Sequence, residues 1–564
     1  MRKDWNLPKA GLVIALAAGV LAGCGGNDGG HASVNAGKEQ GSDTSPITFS
    51  FFSEDANPNW RDMQDDVGKA ITKQTGVTLD AEFAVGDPSQ KVALIATGGD
   101  YPDLISPKGD LNKLVDAGAM LDLTDLIEQY APNLKKLFGD QLNRLRYSND
   151  DHAIYVIPTY SAVDGKTLVA GGGFELQHRA VKEAGYPPVK TLQDYERVIQ
   201  SYLDKHPTDE NGNQNIGLTL NADDWHMFIS VTNPAAETTG KSGDGEYVID
   251  PKTYEATYHY RTEGEKAYFK WLNHMYNVGL LDKESFVQKN DQYVAKIASG
   301  RVVGLIDADW GYADGEKSLK TANKLDQTYG HYSVMLSDAY KDNRFQSTGF
   351  MAGWGVGITT ACKDPVRAIK FLDYLASEQG QILNNWGIEG KHYTVQDGKR
   401  VVPEEVQSRI INDNTAFSQE SGIGFYSNLG AHYGDGVLDA TGNYYTKNFP
   451  EQIVSTYTSA DKETLKAYHA TTWKDLFPQE DEFPVKAWGA AWNIAVPGDD
   501  EVTIFGNKMK DITWKQIPQA VMAKPEDFDR LWDKYQQALL DAGVEKMEKG
   551  FTAYVQNVVK LWNE

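Results

Sequence analysis

The strongest constraint on the fold is an alternation of strand-like and helix-like patterns near the start of the chain. Alternating apolar residues over 47–51 and 77–83 predict two strands, and apolar residues at helical spacing over 63–71 predict a helix between them. Asp87-Pro88 has the form of a helix N-cap followed by proline, and 101–105 predicts a third strand. This alternation predicts an α/β fold with a mainly parallel sheet, in which ligands bind beyond the carboxyl ends of the strands.

The first 24 residues carry a separate signal. Basic residues precede an apolar run over 11–21, which is typical of a secretory signal peptide and too short to span a bilayer. The run ends in Leu-Ala-Gly-Cys, which resembles the lipobox of bacterial lipoproteins. That resemblance implies cleavage after residue 23 and a lipid anchor on Cys24, whereas in an ordinary cleavable signal Cys24 is incidental. The Gly-, Ser- and Asn-rich stretch 24–46 predicts a flexible tether.

Charge and cysteine content narrow the class of protein. The 564 residues include 79 acidic and 55 basic side chains, so the net charge is −24, which argues against nucleic acid as a partner. Cys362 is the other cysteine, so an intramolecular disulfide is excluded if Cys24 is acylated. The composition therefore predicts an acidic, surface-tethered protein with a core that needs no disulfide.

Several stretches, in order, carry a resemblance to a known family. The segment TKQTGVTLDAEFAVGDPSQKVALIATGGDYPDLI resembles the opening of the extracellular solute-binding proteins of bacterial ABC importers, in the carbohydrate-binding family that includes maltose-binding protein. Further similar blocks are GAMLDLTDLI, DDHAIYVIP, AVKEAGYPPVKTLQDYERVI, ASGRVVGLIDADWGY and NNWGIEGKHYTVQDGKRV. The similarity extends from about residue 47 to the C-terminus and is greatest to the long lipoprotein members that take oligosaccharides.

The resemblance implies a two-lobed periplasmic-binding-protein-like fold of type II, with hinge-linked α/β lobes, a ligand cleft and extra C-terminal helices. Lobe one is expected over 47–158 plus about 345–378, and lobe two over 165–335 plus about 379–564. The implied function is that of a monomeric, membrane-anchored protein that captures an oligosaccharide and delivers it to ABC permease subunits without covalent chemistry.

Candidate binding residues follow from the chemistry of sugars, which present apolar faces and polar edges. Trp271 and Trp532 lie in apolar helical patterns and are predicted to be core residues. Trp310 follows an apolar strand at the place where the resembled family commonly presents a stacking aromatic. The other candidates lie beside turn residues or on the same loops: Trp60, Trp354, Trp386, Glu54, Asp55, Asn57, Asp307, Asp309 and Arg179. For an acidic sugar, the cationic candidates are Arg61, Arg179 and Lys391.

Alternating oxygen-bearing side chains over 209–215 raise the question of a calcium ion. Asp209, Asn211, Asn213 and Asn215 have the alternation of a calcium loop, and relatives that resemble alginate-binding proteins carry one in this region. Here Leu220 stands where the acidic residue at the twelfth position is expected. A bound calcium and a plain Asn/Gly turn both stay open.

Two other functions stay open at this point. One is a surface glycoside hydrolase that uses paired carboxylates, which have no sequence signature. The other is a peptide- or lipid-binding protein of the same fold. The sequence contains no G-x-S-x-G, H-E-x-x-H or C-x-x-C motif and no phosphate-binding loop, which removes several common enzyme classes.

Overall fold

The structure is a computed structural model that describes residues 43–241 and 244–563. The predicted signal peptide, Cys24 and most of the predicted tether lie outside these residues.

The strands form two larger sheets and two hairpin-like pairs. Their bounds are β1 (Ile47–Ser53), β2 (Val77–Phe83), β3 (Leu104–Ser106), β4 (Ile157–Pro158), β5 (Gly172–Gln177), β6 (Ile216–Thr219), β7 (Tyr247–Ile249), β8 (Ala256–Tyr258), β9 (Val302–Ala308), β10 (Tyr329–Tyr332), β11 (Gly355–Ile358), β12 (Thr394–Gln396) and β13 (Lys399–Val401).

The α-helices cover both sheets and form the C-terminal part of the chain. They are α1 (Asp66–Thr75), α2 (Pro88–Gly98), α3 (Leu111–Asp116), α4 (Thr124–Tyr130), α5 (Pro132–Phe138), α6 (His178–Glu183), α7 (Leu192–Lys205), α8 (Asn233–Glu237), α9 (Glu263–Asn277), α10 (Asn290–Ala298), α11 (Asp309–Thr321), α12 (Pro365–Ala376), α13 (Glu378–Trp386), α14 (Glu404–Asn412), α15 (Asn414–Ser421), α16 (Pro450–Thr456), α17 (Ser459–Ala467), α18 (Glu501–Val521), α19 (Phe528–Ala542) and α20 (Val544–Trp562). A π-helix spans Met227–Thr232, and short 3-10 helices connect other elements.

The sheet order shows how the chain crosses between two α/β lobes. The first sheet has the order β2-β1-β3-β11-β4, and the second has the order β10-β5-β9-β6. The chain leaves the first sheet after β4 and returns to it at β11, where Gly355 pairs with Pro158. The strand β11 begins at the edge of the sheet where β1 and β3 end, and it therefore runs antiparallel to β3. Both crossings therefore lie beside the carboxyl ends of β1 and β3.

The strands and helix caps predicted near the start of the chain are present, but the first helix begins later than predicted. Asp87 caps α2 by accepting a hydrogen bond from the Gln90 N–H (3.1 Å), and β1 is parallel to β2 and β3. The first helix starts at Asp66 rather than near Met63. Met63 instead has a φ of 57° in the preceding turn and is buried there. Asp65, whose carboxylate accepts from the Gly68 N–H at 2.7 Å, fixes the true helix start.

The buried apolar residues show which of the two lobes each C-terminal segment of the chain packs against. Trp271 and Trp532 are buried in the core of the second sheet, as predicted. The expected boundary differs at residues 379–431, because Tyr426 and Leu429 are buried in the core of the first sheet. The Tyr426 hydroxyl also donates to Asp65 at 2.8 Å. This stretch therefore packs with the first lobe, although the resemblance assigned it to the second.

The three C-terminal helices pack on the second lobe and also touch the first. The core of the second sheet includes apolar residues of α18, α19 and α20. In the first lobe, the Asn149 side chain donates to the Asn557 carbonyl at 3.0 Å, and the Arg144 guanidinium lies 4.9 Å from the Trp562 ring centroid. Across the described ranges, the structure contains no helix with the length and apolarity needed to cross a membrane.

Candidate functional site

A polar cluster lies where β1 and β3 end, beside the first crossing segment. The Lys108 ammonium contacts an Asp55 carboxylate oxygen at 2.8 Å, and the Tyr160 hydroxyl donates a hydrogen bond to the other Asp55 oxygen. The Asn428 side chain lies 3.4 Å from the same carboxylate. Strand ends bring Asp55 and Lys108 together because Ser53 of β1 is in register with Ser106 of β3.

Aromatic rings form the wall beside this cluster. The Lys108 ammonium lies 4.7 Å from the centroid of the Trp354 ring, which meets Tyr160 edge-on at 5.9 Å. Trp492 packs against Trp354 at 4.8 Å and leaves 43% of its surface exposed. Asn493 holds this arrangement by donating to the Ala352 carbonyl at 2.6 Å. A polar cluster with an exposed indole beside it suits a ligand that has both apolar and hydroxyl surfaces.

Three buried polar atoms near the cluster have no hydrogen-bond partner among the described residues. They are one carboxylate oxygen of Glu54, the indole nitrogen of Trp60 and the hydroxyl oxygen of Ser106. Burial and the nearby charge of Asp110 raise the pKa of Glu54 to about 9. At neutral pH this carboxyl group is therefore protonated and can donate a hydrogen bond, which is a property suited to a polar ligand.

The second lobe contributes an exposed pair of indoles. Trp310, at the carboxyl end of β9, is 56% exposed, and its ring lies 5.6 Å from that of Trp225, which is 46% exposed. Trp225 stacks in turn on His226 at 3.9 Å. The Asp309 carboxylate accepts from the Trp310 backbone N–H at 2.7 Å, which fixes the first turn of α11. The pair offers a continuous aromatic surface to solvent.

Buried carboxyl groups lie behind this aromatic pair. Asp307 and Glu175 are 2% and 0% exposed. Burial raises the pKa of Asp307 to about 7, and burial together with the charge of Asp307 raises the pKa of Glu175 well above its ordinary value. Asp307 thus lies below the surface that carries Trp310.

A cavity of about 650 Å³ opens at the crossing segments and reaches the first-lobe cluster through Tyr160. Its volume lies within the range of roughly 300–1,000 Å³ that is usual for ligand pockets. Residues 160–167 and 344–351 form one part of its wall, and side chains of the first lobe such as Asn384 and Ser427 form another.

The predicted site residues fall into separate groups. Asp55, Glu54 and Trp354 lie together, and Trp310 and Asp309 lie at the end of β9. Trp60 is partly buried, with its ring 5.7 Å from those of Phe83 and Tyr426, while the Asn57 side chain accepts from the Asn59 N–H at 3.2 Å. Ligand contact by these residues stays a prediction.

Two predictions of ligand contact are wrong. Trp386 is 2% exposed, and its indole N–H donates to the carbonyls of Tyr444 and Tyr445, so it is a core residue. The sequence suggested otherwise because Trp386 stands beside a turn. The Arg179 guanidinium donates to the Gly300 carbonyl at 2.7 Å, before the start of β9 and thus at the end of that strand opposite Trp310.

The other cations proposed for an acidic sugar also serve local structure. Arg61 donates to the carbonyl of Trp60 at 2.8 Å, and Lys391 pairs with Asp66 at 2.5 Å. Sequence reasoning missed Lys108, Tyr160, Trp225 and Trp492. The two tryptophans carried a usable signal, since each stands beside turn-forming or small residues rather than in a periodic apolar run.

The 209–215 loop uses its carboxylate within its own turn. One Asp209 oxygen accepts from the N–H groups of Asn211 (2.9 Å) and Asn213 (2.8 Å), and the other accepts from the Asn213 side chain at 3.0 Å. The Asn215 side-chain amide donates to the His206 carbonyl. Among the described residues, no group of three or more His, Cys, Asp or Glu side chains has the arrangement of a metal site.

Comparisons with known proteins give consistent matches. The family model for bacterial extracellular solute-binding proteins matches residues 66–385. The fructooligosaccharide ABC transporter substrate-binding protein FusA of Streptococcus pneumoniae is 24% identical over 68% of this chain and 71% of its own length. Lipoprotein LipO of Bacillus subtilis is 21% identical over 75% of this chain and 79% of its own.

Solved structures show the same fold. The alginate-binding protein AlgQ2 aligns with a TM-score of 0.63 and 20% identity over 93% of this chain and 100% of its own. An extracellular solute-binding protein from Bifidobacterium longum subsp. infantis aligns with a TM-score of 0.64 and 14% identity over 91% of this chain and 99% of its own. The two-lobed, type II arrangement predicted from the sequence is thereby confirmed.

Proposed function

The chain belongs to the family of bacterial extracellular solute-binding proteins, and we propose that its solute is an oligosaccharide bound between the two lobes. The observation that carries this proposal is the exposed pair of Trp225 and Trp310 at the end of β9. Indoles that stay exposed in an otherwise well-packed protein are suited to stacking against the C–H faces of sugar rings. The fructooligosaccharide-binding relative supports this choice of ligand class.

The first lobe supplies the polar half of such a site. Lys108, Tyr160 and Asn428 converge on the Asp55 carboxylate, and each retains hydrogen-bonding capacity for sugar hydroxyls. The ring of Trp354 borders the same cluster. A ligand that contacts the indoles of one lobe and this cluster of the other favours the closed state through its differential affinity.

The experiment that tests the ligand class is thermal unfolding of the purified protein across a panel of neutral and acidic oligosaccharides. A ligand at 100 times its dissociation constant stabilises the folded state by roughly 2.7 kcal/mol, which is readily measured. The expected result is stabilisation by at least one oligosaccharide and none by peptides or fatty acids. Stabilisation by peptides or lipids alone contradicts the proposal.

Delivery and anchoring extend the proposal. We propose that lipid on Cys24 tethers a monomer to the outer face of the cell membrane, where it passes its ligand to the permease subunits of an ABC importer. The lipobox-like Leu-Ala-Gly-Cys and the ABC-importer relative support this placement.

The proposed activity involves no covalent chemistry. Both oxygens of the Asp55 carboxylate are held by Lys108 and Tyr160, which suits a fixed hydrogen-bond acceptor rather than a nucleophile. If the protein is a hydrolase, an oligosaccharide incubated with it is cleaved into shorter products. If the protein only binds, the oligosaccharide is recovered intact.

Calcium on the 209–215 loop stays a prediction. Four alternating oxygen-bearing side chains support it, while the internal hydrogen bonds of Asp209 satisfy its carboxylate without a metal. A calorimetric calcium titration of the protein, against its Asp209→Asn variant, distinguishes a calcium site from a plain turn.

A further inference from the structure

Two cationic side chains on the 650 Å³ cavity are at least partly buried and lack a full set of partners, whereas the third cation of its wall, Lys166, is exposed to solvent. Lys447 and Arg344 both line this cavity. Within the described residues, the Lys447 ammonium makes no ion pair or hydrogen bond, and burial alone lowers its pKa to about 8, with no carboxylate close enough to oppose the shift.

Arg344 is held firmly but retains a free donor. Its Nε pairs with Asp342 at 3.1 Å, and its Nη1 donates to the Gly172 carbonyl at 3.3 Å. Its side chain is only 7% exposed, yet Nη2 has no acceptor among the described residues. A guanidinium fixed on one side with a buried donor left over is pre-organised to bind an anion.

The acidic residues of the cavity, Asp435 and Glu480, are held by polar groups of the same cavity wall. The Asp435 carboxylate accepts from the Asn448 side chain at 3.1 Å, and Glu480 accepts from the Thr167 N–H at 3.4 Å. Burial lowers the pKa of His432, so this neighbour is neutral at pH 7. Because a charged donor held away from water without a partner is costly, a cavity that keeps the partly buried, unpaired Lys447 ammonium and the unpartnered Nη2 of Arg344 indicates a ligand that satisfies them.

We propose that this cavity is a subsite for an acidic group, a carboxylate or a sulfate, on the oligosaccharide, with Lys447 and Arg344 Nη2 as its donors. The inference rests on the proposed function and adds the charge of the ligand to it. Tyr160 belongs both to the cavity wall and to the Asp55 cluster, so the cavity adjoins the cluster on which we place the sugar chain. None of the three cations singled out from the sequence takes this role.

The test compares three probes by calorimetric titration: a tri-galacturonate, its fully methyl-esterified form and a sulfated oligosaccharide of similar length. The expected result is that one or both acidic probes bind at least about tenfold more tightly than the ester. This preference falls as the salt concentration rises. A preference confined to one acidic probe identifies the carboxylate or the sulfate as the bound group.

Variants assign the preference to the cavity. Lys447→Met keeps nearly the length of the side chain and removes its charge, so it is expected to weaken binding of the acidic probes far more than binding of the ester and thereby to abolish most of the preference. Lys136→Met, on the exposed face of α5, is the matched control and leaves the preference unchanged. Arg344→Lys is the second variant, since it keeps the charge but removes the free Nη2 donor, and it too is expected to reduce the preference.

Equal affinities for the acidic probes and the ester overturn this inference while leaving the proposed function standing. A preference that survives in Lys447→Met and Arg344→Lys also overturns it. If no oligosaccharide binds, including neutral ones, the proposed function fails and this inference fails with it.

Discussion

The rings of Trp225 and Trp310 lie 5.6 Å apart, centroid to centroid, with an angle of 32° between their planes, although 85 positions separate them in the chain. Trp310 starts α11 directly after β9, and Trp225 precedes the π-helix Met227–Thr232. Two segments that are distant in the sequence thus form one aromatic surface at the carboxyl end of β9 in the second sheet.

Removing one indole from this surface tests its role. Trp310→Ala is expected to weaken oligosaccharide binding at least about tenfold, because the stacking face is lost. Its melting temperature is expected to change little, since the side chain is more exposed than buried. Calorimetric titration and thermal unfolding measure the two quantities, and unchanged affinity contradicts the stacking role.

Trp386 supplies the opposite case. Trp386→Phe removes an indole N–H that donates to two buried carbonyls, so the free energy of unfolding is expected to fall by about 1–3 kcal/mol. Ligand affinity is expected to stay within about twofold of the unaltered protein. Urea unfolding measures the stability and calorimetric titration measures the affinity. A large loss of affinity without loss of stability contradicts the assignment of Trp386 to the core.

These two tryptophans show what sequence patterns can and cannot predict here. The local pattern around residues 47–105 correctly predicts strands, caps and helices, because those signals act within a few residues. Trp310 and Trp386 look alike in sequence, since each stands beside a turn. Only packing against Tyr393 and Phe449 separates the buried one from the exposed one.

The first-lobe cluster shows the same limit. The loop that carries Asp55 is visible from the end of a predicted strand. Lys108 and Tyr160 are not, because their meeting with Asp55 depends on strand register and on the path of the crossing segment. The expected assignment of residues 379–431 to the second lobe fails for a similar reason, since the apolar residues of a segment do not specify which core they enter.

A pH series tests the buried Asp307. Its pKa is raised from 3.8 to about 7 by burial, so between these pH values the unfolded chain releases a proton that the folded protein keeps. Stability from this group is therefore lost as the pH rises across that window. Asp307→Asn mimics the neutral form and is expected to gain stability relative to the unaltered protein from pH 4 to 7, by up to about 4 kcal/mol.

Urea unfolding at several pH values measures this difference. The pKa of Glu175 is also raised, in part by the charge of Asp307, so the difference between Asp307→Asn and the unaltered protein reports on this carboxyl pair and the slope of the unaltered protein alone does not. Asp314→Asn, an exposed site on α11, is the control. A constant difference between Asp307→Asn and the unaltered protein over the whole range contradicts a raised pKa.

Substitutions at two glycines, Gly173 and Gly86, test the packing at the start of β5, where the chain enters the second lobe. Gly173 has a φ of 120°, and a Cβ there collides with the guanidinium of Arg344, which Asp342 holds in place. Gly173→Ala is expected to cost more than about 3 kcal/mol of unfolding free energy. Gly86 has a φ of 84° with open space around it, so Gly86→Ala is expected to cost only about 1 kcal/mol. Equal costs for the two contradict the close contact with Arg344.

The anchor is tested in cells. Cys24→Ser is expected to move the protein from the membrane fraction to the medium or periplasm, because the residue that would carry the lipid is lost. Fractionation followed by immunoblotting measures the distribution, with Cys362→Ser as the matched control. Membrane retention of Cys24→Ser shows that another feature holds the protein.

We propose that the protein binds an oligosaccharide between its lobes and leaves it intact. The most direct measurement is a titration of the purified protein with each stabilising oligosaccharide, followed by tryptophan emission and then by mass spectrometry of the recovered glycan. We predict saturable binding with a shift in emission and full recovery of the unaltered glycan. Progressive appearance of shorter glycans, or stabilisation without a specific saturable signal, contradicts the claim.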